Sequence, residues 1–403
     1  MANKIKLGII GIGNQGTQYV RYMLEGKCPE IELGAVADIN PARLDAAKKI
    51  FDECKEKNAD LKEFGYFDDA IKMMDSGLVD SIVVAVPHYD HPKYVIEAFK
   101  RGIHAISEKP AGVYTLQVKE MMAEADKHPE LVFGMMFNQR TNHVFRKMKE
   151  IVESGELGAI KRTSWIITNW YRPQFYYDSG AWRATWKGEG GGVLLNQCPH
   201  NLDLWQWICG MPTKIDAKLK FGMWHDIEVE DDVTVYAEYE NGATGTFITT
   251  TGDAPGTNRF EITFDGGKLV CDDANKLTMW KLDTLESVFS KTTKQLFGRP
   301  KATVIDVETD GENFQHIGIF NNFAAAVLHG DKLLADGREG IYGVSLSNAM
   351  HLSAWKNREV VLPLSDADEK EFYDELMAHV NESEEKKNVV TAETVDMSST
   401  FNS

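Results

Sequence analysis

The chain has 403 residues, 43% of them hydrophobic and 26% charged, and this length predicts two domains. Its formal net charge of −17 argues against nucleic acid or an anionic membrane as a partner. No run approaches the roughly 18 apolar residues that a membrane-spanning helix needs, and an apolar strand follows the N-terminus directly, leaving no room for a signal peptide. The five cysteines form no CxxC pair and are odd in number, so we expect reduced thiols in a cytoplasmic protein.

The first motif is a glycine-rich sequence that follows an apolar strand. Residues 4–10 are typical of a strand buried on both faces, and Gly11-Ile12-Gly13-Asn14-Gln15-Gly16 leads from it into a helix over about 15–25. In such a motif the first glycine permits the tight turn, the second lets a pyrophosphate approach the backbone, and the third lets helix and strand pack closely. The helix N-terminus would supply amide donors to the phosphates. This pattern predicts a dinucleotide site.

A second predicted strand, over 32–37, ends in Asp38. This residue lies about 22 positions beyond Gly16, where an acid would hydrogen-bond the adenosine ribose hydroxyls. A carboxylate there repels a 2′-phosphate, so we expect NAD and consider NADP less favoured, although Arg43 could soften that preference. The alternative role for Asp38 is a helix N-cap, because Asn40-Pro41 opens the next helix, but Asn40 could fill that position instead.

Strand and helix patterns continue to alternate up to residue 137. Further strands are predicted at about 80–86, 102–107 and 131–137, with helices over about 92–101 and 116–125. Repeated βα units predict a parallel, doubly wound sheet. The strand ending at residue 107 leads into Ser107-Glu108-Lys109-Pro110, which places Lys109 at the carboxyl edge where such sheets bind ligands. A lysine there can donate or accept a proton, whereas the alternative is an ordinary Glu–Lys pair in a surface loop.

The loops after these strands share one edge with the glycine loop, so we place the cofactor there. No metal site is predicted. The residues expected to bind the cofactor are Gly11, Gly13, Asn14, Gln15, Gly16, Asp38, Arg43, Pro87, His91, Glu108, Lys109 and Gln139.

After residue 140 the pattern changes to short strands joined by tight turns. Asn241-Gly242 and Gly266-Gly267 are hairpin signals, so neighbouring strands should be antiparallel, with helices on one face of the sheet. We therefore predict an α/β protein with an N-terminal Rossmann domain (1–140), an α+β domain with a large, mostly antiparallel open sheet (141–385), and a polar tail (386–403). Helices are expected at about 142–154, 313–329, 340–354 and 364–385, and strands at about 159–168, 214–223, 232–240, 243–251, 259–264, 268–271 and 277–281.

The segment 190–203, GGGVLLNQCPHNLD, contains the second chemical signal. If a helix runs through it, Asn196, His200 and Asp203 stand at i, i+4 and i+7 on one face. Pro199 would kink that helix, or else the regular helix begins next to it. Either way His200 and Asp203 are one turn apart, where the acid can orient the imidazole or bind substrate itself. A lone histidine is more often structural, but an acid and an amide on the same polar stripe favour a functional one.

Aromatic residues are concentrated just upstream, with Arg172 and Arg183 among them. Core packing on a strand explains Trp165, but the residues that follow lie in a polar stretch containing proline and glycine: Trp170, Tyr171, Phe175, Tyr176, Tyr177, Trp182 and Trp186. Aromatic faces interleaved with hydrogen-bonding side chains suit a sugar ring, and the alternative is a subunit interface. The residues expected to bind substrate are Lys109, Trp170, Tyr171, Trp182, Arg183, Asn196 and His200.

The chain resembles the glucose–fructose oxidoreductase/inositol dehydrogenase/MocA (Gfo/Idh/MocA) family over about residues 4–362. The resemblance is carried by the glycine motif, Glu108-Lys109-Pro110 and His200-Asn201-Leu202-Asp203. The resemblance implies a Rossmann domain and an α/β domain whose open sheet often mediates oligomers, so we expect a dimer or tetramer. It implies hydride transfer between NAD(P) and a hydroxyl, with Lys109 and His200 as acid–base residues and Asp203 supporting them. Inositol dehydrogenase-like members have an aspartate four residues before the histidine, where this chain has Asn196. An amide cannot act as a base, which shifts the proton transfer onto Lys109 or His200.

The function predicted from the sequence is NAD-dependent hydride transfer to or from a secondary hydroxyl of a sugar, glycoside or cyclitol. Oxidation at C3 of a glycoside is one candidate, and neutral rings are favoured over sugar phosphates because acidic and aromatic pockets suit them. Inositol dehydrogenase is an alternative. Others are a redox-assisted, NAD-dependent glycosidase and a non-catalytic NAD-binding sugar sensor, although the presence of Lys109 and His200 counts against a sensor.

Overall fold

The computed structural model describes residues 4–384, 386 and 389–390, which form two compact units. The first unit comprises residues 4–138 and 314–344, and the second comprises 139–313 and the described residues of 345–390. Residues 314–344, predicted as part of the second domain, therefore belong to the first unit. A helical pattern does not indicate which sheet the helix packs on, so the sequence could not reveal this return. The tail predicted at 386–403 lies outside the described residues except for 386, 389 and 390.

Residues 4–138 form the predicted parallel sheet. The elements are β1 (Ile5–Ile10), α1 (Asn14–Leu24), β2 (Ile31–Ala37), α2 (Pro41–Lys57), β3 (Gly65–Phe67), α3 (Ala70–Asp75), β4 (Ser81–Val84), α4 (His91–Phe99), β5 (His104–Ser107), α5 (Thr115–Ala125) and β6 (Phe133–Met135). Within the described residues the sheet has six strands in the order β3-β2-β1-β4-β5-β6, all paired in parallel. The order reverses between β1 and β4, and doubly wound sheets bind ligands at the carboxyl ends beside such a switch point.

The rest of the chain supplies the second sheet and the later helices. The elements are α6 (His143–Ser154), β7 (Ile160–Ile167), α7 (Gln174–Asp178), α8 (Pro199–Cys209), β8 (Lys214–Phe221), β9 (Glu230–Glu238), β10 (Thr244–Thr250), β11 (Asn258–Phe264), β12 (Gly267–Asp272), β13 (Lys276–Leu282), α9 (Glu286–Thr292), β14 (Ala302–Asp306), α10 (Gln315–His329), α11 (Gly340–Lys356), β15 (Val360–Val361) and α12 (Asp366–Glu382). Among the described residues the second sheet has nine strands in the order β14-β13-β12-β11-β7-β10-β9-β8-β15. Every neighbouring pair in it is antiparallel except β7 and β10, which confirms the predicted fold class.

Aromatic side chains fix α8 on the second sheet. Trp165 of β7 stacks on Phe260 with ring centroids 4.2 Å apart, which confirms its core position. Trp205 of α8 stacks on Phe247 at 5.4 Å, and its indole N–H donates a hydrogen bond to the Thr163 hydroxyl oxygen at 3.0 Å. Because buried aromatic pairs of this kind add to the free energy of area burial, they hold the helix in one register.

No helix in the described part of the chain combines the length and apolarity needed to cross a bilayer. Burial raises the pKa of the Cys28 and Cys271 thiols to about 12. These two thiols are therefore protonated at neutral pH and are poor nucleophiles.

Candidate active site

The glycine loop connects β1 to α1 at the switch point of the first sheet. Gly11 has a φ of +90°, and a Cβ on Gly16 would lie 1.9 Å from the Gly11 carbonyl oxygen, so the fold itself requires both glycines. A Cβ on Gly13 would meet nothing closer than the Arg43 guanidinium, at 4.0 Å. Gly13 is also the N-cap of α1 and has no side-chain cap, which leaves first-turn N–H groups for an anion. Gly13 therefore leaves its backbone open to the predicted approach of a pyrophosphate.

Gly13→Ala and Gly16→Ala should therefore have different phenotypes. Gly13→Ala should fold normally, because its φ of −75° suits alanine, but its methyl group should weaken NAD binding at least tenfold, or about 1.4 kcal/mol. Gly16→Ala should instead lower the free energy of unfolding by about 1–3 kcal/mol through overpacking. Calorimetric titration with NAD⁺ and urea denaturation separate the two effects. Wild-type NAD affinity in Gly13→Ala would show that the phosphates do not approach this residue.

Asp38 links the end of β2 to the glycine loop. Its Oδ2 accepts a hydrogen bond from the Ile12 N–H at 2.7 Å, and its Oδ1 accepts one from the Asn40 N–H at 2.8 Å. The N-cap of α2 is Asn40, whose side chain accepts from the Ala42 N–H, so the N-cap alternative for Asp38 is wrong. Arg43 Nη1 lies 3.3 Å from Asp38 Oδ2. The Asp38 carboxylate has more lone pairs than these hydrogen bonds use. It can therefore still accept the predicted hydrogen bonds from the ribose hydroxyls.

His91 joins two loops at the carboxyl edge of the first sheet. Its Nε2 lies 2.7 Å from the Val86 carbonyl oxygen, and its Nδ1 lies 2.7 Å from the Pro110 carbonyl oxygen. Burial lowers the pKa of His91, and the two carbonyls oppose that shift. Both ring nitrogens are engaged by the backbone, so His91 ties the loop after β4 to the Lys109 loop. The cofactor contacts of His91 and Pro87 stay predictions.

Lys109 lies two residues beyond β5, at the carboxyl edge that also holds the glycine loop and Asp38. The buried Glu108 side chain accepts a hydrogen bond from the Tyr19 hydroxyl on Oε1 and one from the Lys109 N–H on Oε2 at 3.1 Å. Burial raises the pKa of the Glu108 carboxyl, and the charge of Lys109 opposes that shift. Glu108 therefore anchors the Lys109 loop to α1, which does not support its predicted direct contact with the cofactor.

Sequence reasoning missed His316, which lies near Lys109 in the first unit. Its ring centroid is 5.6 Å from that of Tyr19. Burial, and then the positive charge of Lys109, lower the pKa of His316 to about 3. The imidazole is therefore neutral at physiological pH. Residues 109 and 316 come together only because residues 314–344 belong to the first unit. A local sequence pattern cannot indicate such a distant pairing.

The remaining cofactor predictions concern Asn14, Gln15 and Gln139. Asn14 begins α1, and the Gln15 side chain hydrogen-bonds the Tyr19 hydroxyl group. Gln139 is the first residue of the second unit. Gln15 therefore supports the Tyr19–Glu108 contact, and cofactor contacts by Asn14, Gln15 and Gln139 stay predictions.

In the second unit, Asp203 forms a buried ion pair with Arg140. Arg140 Nε donates to Asp203 Oδ2 at 2.8 Å and Arg140 Nη2 donates to Oδ1 at 2.6 Å, while the side chains are 0% and 2% exposed. Gln206 Nε2 adds a third bond to Oδ1 at 3.1 Å. The Asp203 carboxylate therefore holds α8 to the segment before α6, and its predicted support of His200 stays a prediction.

Asn196 and His200 do not share a helix, because α8 begins at Pro199. The interpretation in which the regular helix starts next to that proline is confirmed. His200 is buried in the first turn of α8. Asn196 lies in the turns before it, where its side-chain amide donates a hydrogen bond to Glu189.

Glu230 fixes the loop that precedes Asn196, a role that sequence reasoning also missed. Its carboxylate accepts hydrogen bonds from the Gly192 N–H at 2.8 Å and the Leu194 N–H at 2.9 Å. His351 Nε2 lies 3.0 Å from Glu230 Oε2, and both side chains are almost fully buried. A carboxylate that receives several donors can be buried without a large penalty. Glu230 and His351 therefore form the support of the glycine run 190–192.

Two arginines and three aromatic rings form a surface in the second unit. The Arg183 guanidinium lies over Tyr176 and Trp182, 4.5 and 4.6 Å from their ring centroids, and Nη1 donates to the Tyr176 hydroxyl oxygen at 2.7 Å. Arg172 lies over Trp170 and Tyr176 at 5.5 and 5.3 Å. Cation–π contacts hold guanidinium groups and ring faces together. The structure thus gathers Trp170, Trp182 and Arg183, three of the predicted substrate residues.

Two other aromatic residues of this segment have different environments. Tyr171 is 47% exposed, whereas Trp186 is 5% exposed. The Trp186 ring lies 5.6 Å from Trp355 and 5.0 Å from His379, between centroids, in a buried aromatic cluster. Trp186 is therefore a core residue and does not offer a stacking face to a sugar.

Comparison with known proteins identifies the family. Residues 5–135 match the model described as "Oxidoreductase family, NAD-binding Rossmann fold", and residues 145–270 match the GFO/IDH/MocA C-terminal domain. The chain belongs to the Gfo/Idh/MocA family. The resemblance inferred from the sequence motifs is confirmed, and the first unit of this family member is an NAD-binding Rossmann domain.

Individual relatives support the same assignment. The putative oxidoreductase YteT of Bacillus subtilis is 27% identical over 198 residues, which cover 48% of this chain and 44% of YteT. Myo-inositol 2-dehydrogenase of Thermotoga maritima is 24% identical over 285 residues, covering 68% of this chain and 77% of that protein. The structure of the WlbA dehydrogenase from Chromobacterium violaceum, in complex with NADH and UDP-GlcNAcA, has a TM-score of 0.76 at 26% identity and covers 91% of this chain and 98% of that chain. The matched region of this family member spans less than half the length of YteT.

Proposed function

We propose that the protein is an NAD-dependent oxidoreductase that transfers a hydride between a secondary hydroxyl of a sugar, glycoside or cyclitol and the nicotinamide. The observation that carries this proposal is the placement of three groups in the first unit. The glycine loop, Asp38 and Lys109 follow β1, β2 and β5 at the same carboxyl edge of one parallel sheet. A dinucleotide site and a residue capable of acid–base chemistry therefore share that edge. The relatives named for myo-inositol and crystallised with a nucleotide sugar support a polyol substrate.

The residues divide the work of the reaction. NAD, when bound, supplies the hydride acceptor at C4 of its nicotinamide. The glycine loop and the start of α1 hold its phosphates, and Asp38 accepts hydrogen bonds from the ribose hydroxyls. Oxidation of a secondary alcohol also releases the hydroxyl proton, which Lys109 or His200 accepts. The ring faces of Trp170 and Trp182, together with Arg183, bind the substrate ring.

A panel of substrates tests this function. Sugars, aryl glycosides and inositols should be mixed with NAD⁺ or NADP⁺ while the absorbance of the reduced nicotinamide is followed. Uronic acids and nucleotide sugars belong in the panel because Arg172 and Arg183 can pair with an anion. We expect reduced nicotinamide with at least one polyol, and more from NAD⁺ than from NADP⁺. Cleavage of an aryl glycoside without net reduction would identify a redox-assisted glycosidase instead, and sugar binding without turnover would identify a sensor.

One face of the second sheet is suited to pairing with another copy of the chain. The strand register places Ile166, Tyr236 and Val304 on the same side, and all three are exposed. Trp165 and Phe247 lie on the opposite, buried side. Exposed apolar side chains on a sheet face can be buried at an interface between two copies. We propose this face as the contact of the predicted dimer or tetramer.

A further inference from the structure

Glu189 is a buried acid that none of the roles above uses. It lies directly before the glycine run 190–192 and is 1% exposed. Its Oε2 accepts a hydrogen bond from the Ala184 N–H at 2.5 Å, and its Oε1 accepts one from Asn196 Nδ2. Asn196 in turn stands four residues before His200 and is one of the residues predicted to bind substrate. A buried carboxyl group therefore contacts the side-chain amide of a predicted substrate residue.

We propose that Glu189 is an ionisable positioning residue that acts through the side-chain amide of Asn196. An ionised carboxylate can only accept hydrogen bonds, so it fixes the Asn196 amide with Nδ2 towards Glu189 and Oδ1 away from it. Oδ1 then serves as an acceptor for a substrate hydroxyl. A protonated Glu189 can itself donate, which allows the amide to turn over and present its NH₂ group instead. This inference rests on the proposed function, because it assigns the Asn196 amide to the substrate.

The surroundings of Glu189 allow it to change charge near neutral pH. Burial raises the pKa of Glu189 to about 7; the charge of Arg183 and the hydrogen bonds from Ala184 and Asn196 oppose that shift, and Glu230 adds to it. The charged and titratable groups that act on this carboxyl include Arg183, Glu230, Lys386 and Tyr177. The acceptor orientation of Asn196 should therefore dominate above about pH 7 and be lost below it.

Exchanging the acid and the amide tests the proposal. In the wild type, kcat/KM should fall about tenfold per pH unit below pH 7, as one required carboxylate is protonated. Glu189→Gln should remove that limb and lower kcat/KM at pH 8 at least tenfold. The double variant Glu189→Gln/Asn196→Asp, which keeps one acid and one amide in contact, should regain a pH-dependent limb and part of the activity. Glu228→Gln removes an acid that contacts the Trp186 and Glu384 N–H groups instead of Asn196, so the wild-type profile should persist.

A second readout does not need turnover. Infrared difference spectra between wild type and Glu189→Gln, without substrate or cofactor, should contain a carboxylic acid band that titrates near pH 7. Asn196→Ala should move that titration to higher pH, because it removes a donor to the carboxylate. The inference is wrong, whatever the activity, if the band titrates in the ordinary pH range of glutamate. It is also wrong if Asn196→Ala leaves the pH of the titration unchanged. If the band behaves as expected but no polyol is oxidised, the proposed function fails and the Glu189–Asn196 coupling stands. If polyols are oxidised and Glu189→Gln keeps the wild-type pH profile, the function stands and the inference fails.

Discussion

Lys109→Ala should lower kcat by about 10²–10⁴-fold, the range that a positioned acid–base group contributes, while NAD binding stays largely intact. The loop should survive the substitution, because Glu108 holds it through the backbone N–H of residue 109, which alanine retains. His91 binds the next carbonyl, that of Pro110, and is also unaffected. The loss should therefore come from the missing amine. Steady-state rates with a substrate from the panel and calorimetric NAD titration measure the two quantities.

Two further substitutions make this test specific. Lys109→Arg keeps the positive charge, but a guanidinium does not release its proton, so the variant should be as inactive as Lys109→Ala. Activity in Lys109→Arg would show that charge alone is sufficient and that His200 handles the proton. Lys100→Ala removes an exposed lysine that pairs with Glu97 in the same unit, and it should behave as wild type. A near wild-type rate for Lys109→Ala would exclude Lys109 as the acid–base residue.

Removing one partner of the Arg140–Asp203 pair should lower the free energy of unfolding by about 3–5 kcal/mol, because the other charge stays buried and loses its bidentate ion pair. The two side chains are 0% and 2% exposed and joined by two short hydrogen bonds, so bulk water has little access to the remaining charge. Arg140→Met and Asp203→Asn should both show the effect. Urea denaturation followed by circular dichroism measures the change in midpoint.

The Arg146–Asp310 pair provides a matched control in the same unit. Arg146 also contacts both carboxylate oxygens of its partner, but through Nη2 alone, 3.0 Å from each, and the side chains are 35% and 51% exposed. Arg146→Met should therefore cost less than about 1 kcal/mol. An equally mild effect of Arg140→Met would mean that the buried pair contributes little to stability. That result would also favour the predicted catalytic role of Asp203 over a structural one.

The cofactor half of the site could be predicted from the sequence because its signals are local. A strand, a glycine turn and a helix are contiguous, and the parallel topology places the ends of β1, β2 and β5 at one edge. The position of Lys109 could be predicted from the end of its strand alone. The fold class followed from the change between alternating βα units and short hairpin-linked strands.

The candidate substrate residues of the second unit depend on partners that lie far apart in sequence. The spacing of His200 and Asp203 favoured a catalytic pair. In the structure the Asp203 carboxylate forms an ion pair with Arg140, which lies 63 residues earlier in the chain. No sequence motif marks Glu189 or Glu230. Both accept hydrogen bonds from backbone N–H groups, and Glu189 also accepts one from a side-chain amide. These donors lie in a loop whose course the sequence does not specify. The density of aromatic residues was informative about the segment as a whole, yet it could not separate the core residue Trp186 from Trp182.

The most direct test of the central claim is the fate of a carbon-bound hydrogen of the substrate. Sugars and inositols deuterated at their carbon atoms should be incubated with the protein and NAD⁺, and the reduced nicotinamide should be analysed by mass spectrometry. Direct hydride transfer predicts one deuterium in the reduced nicotinamide for each substrate molecule oxidised to a ketone. Turnover in which the deuterium appears in water and not in the nicotinamide would contradict the account, as would the absence of oxidation across the whole panel.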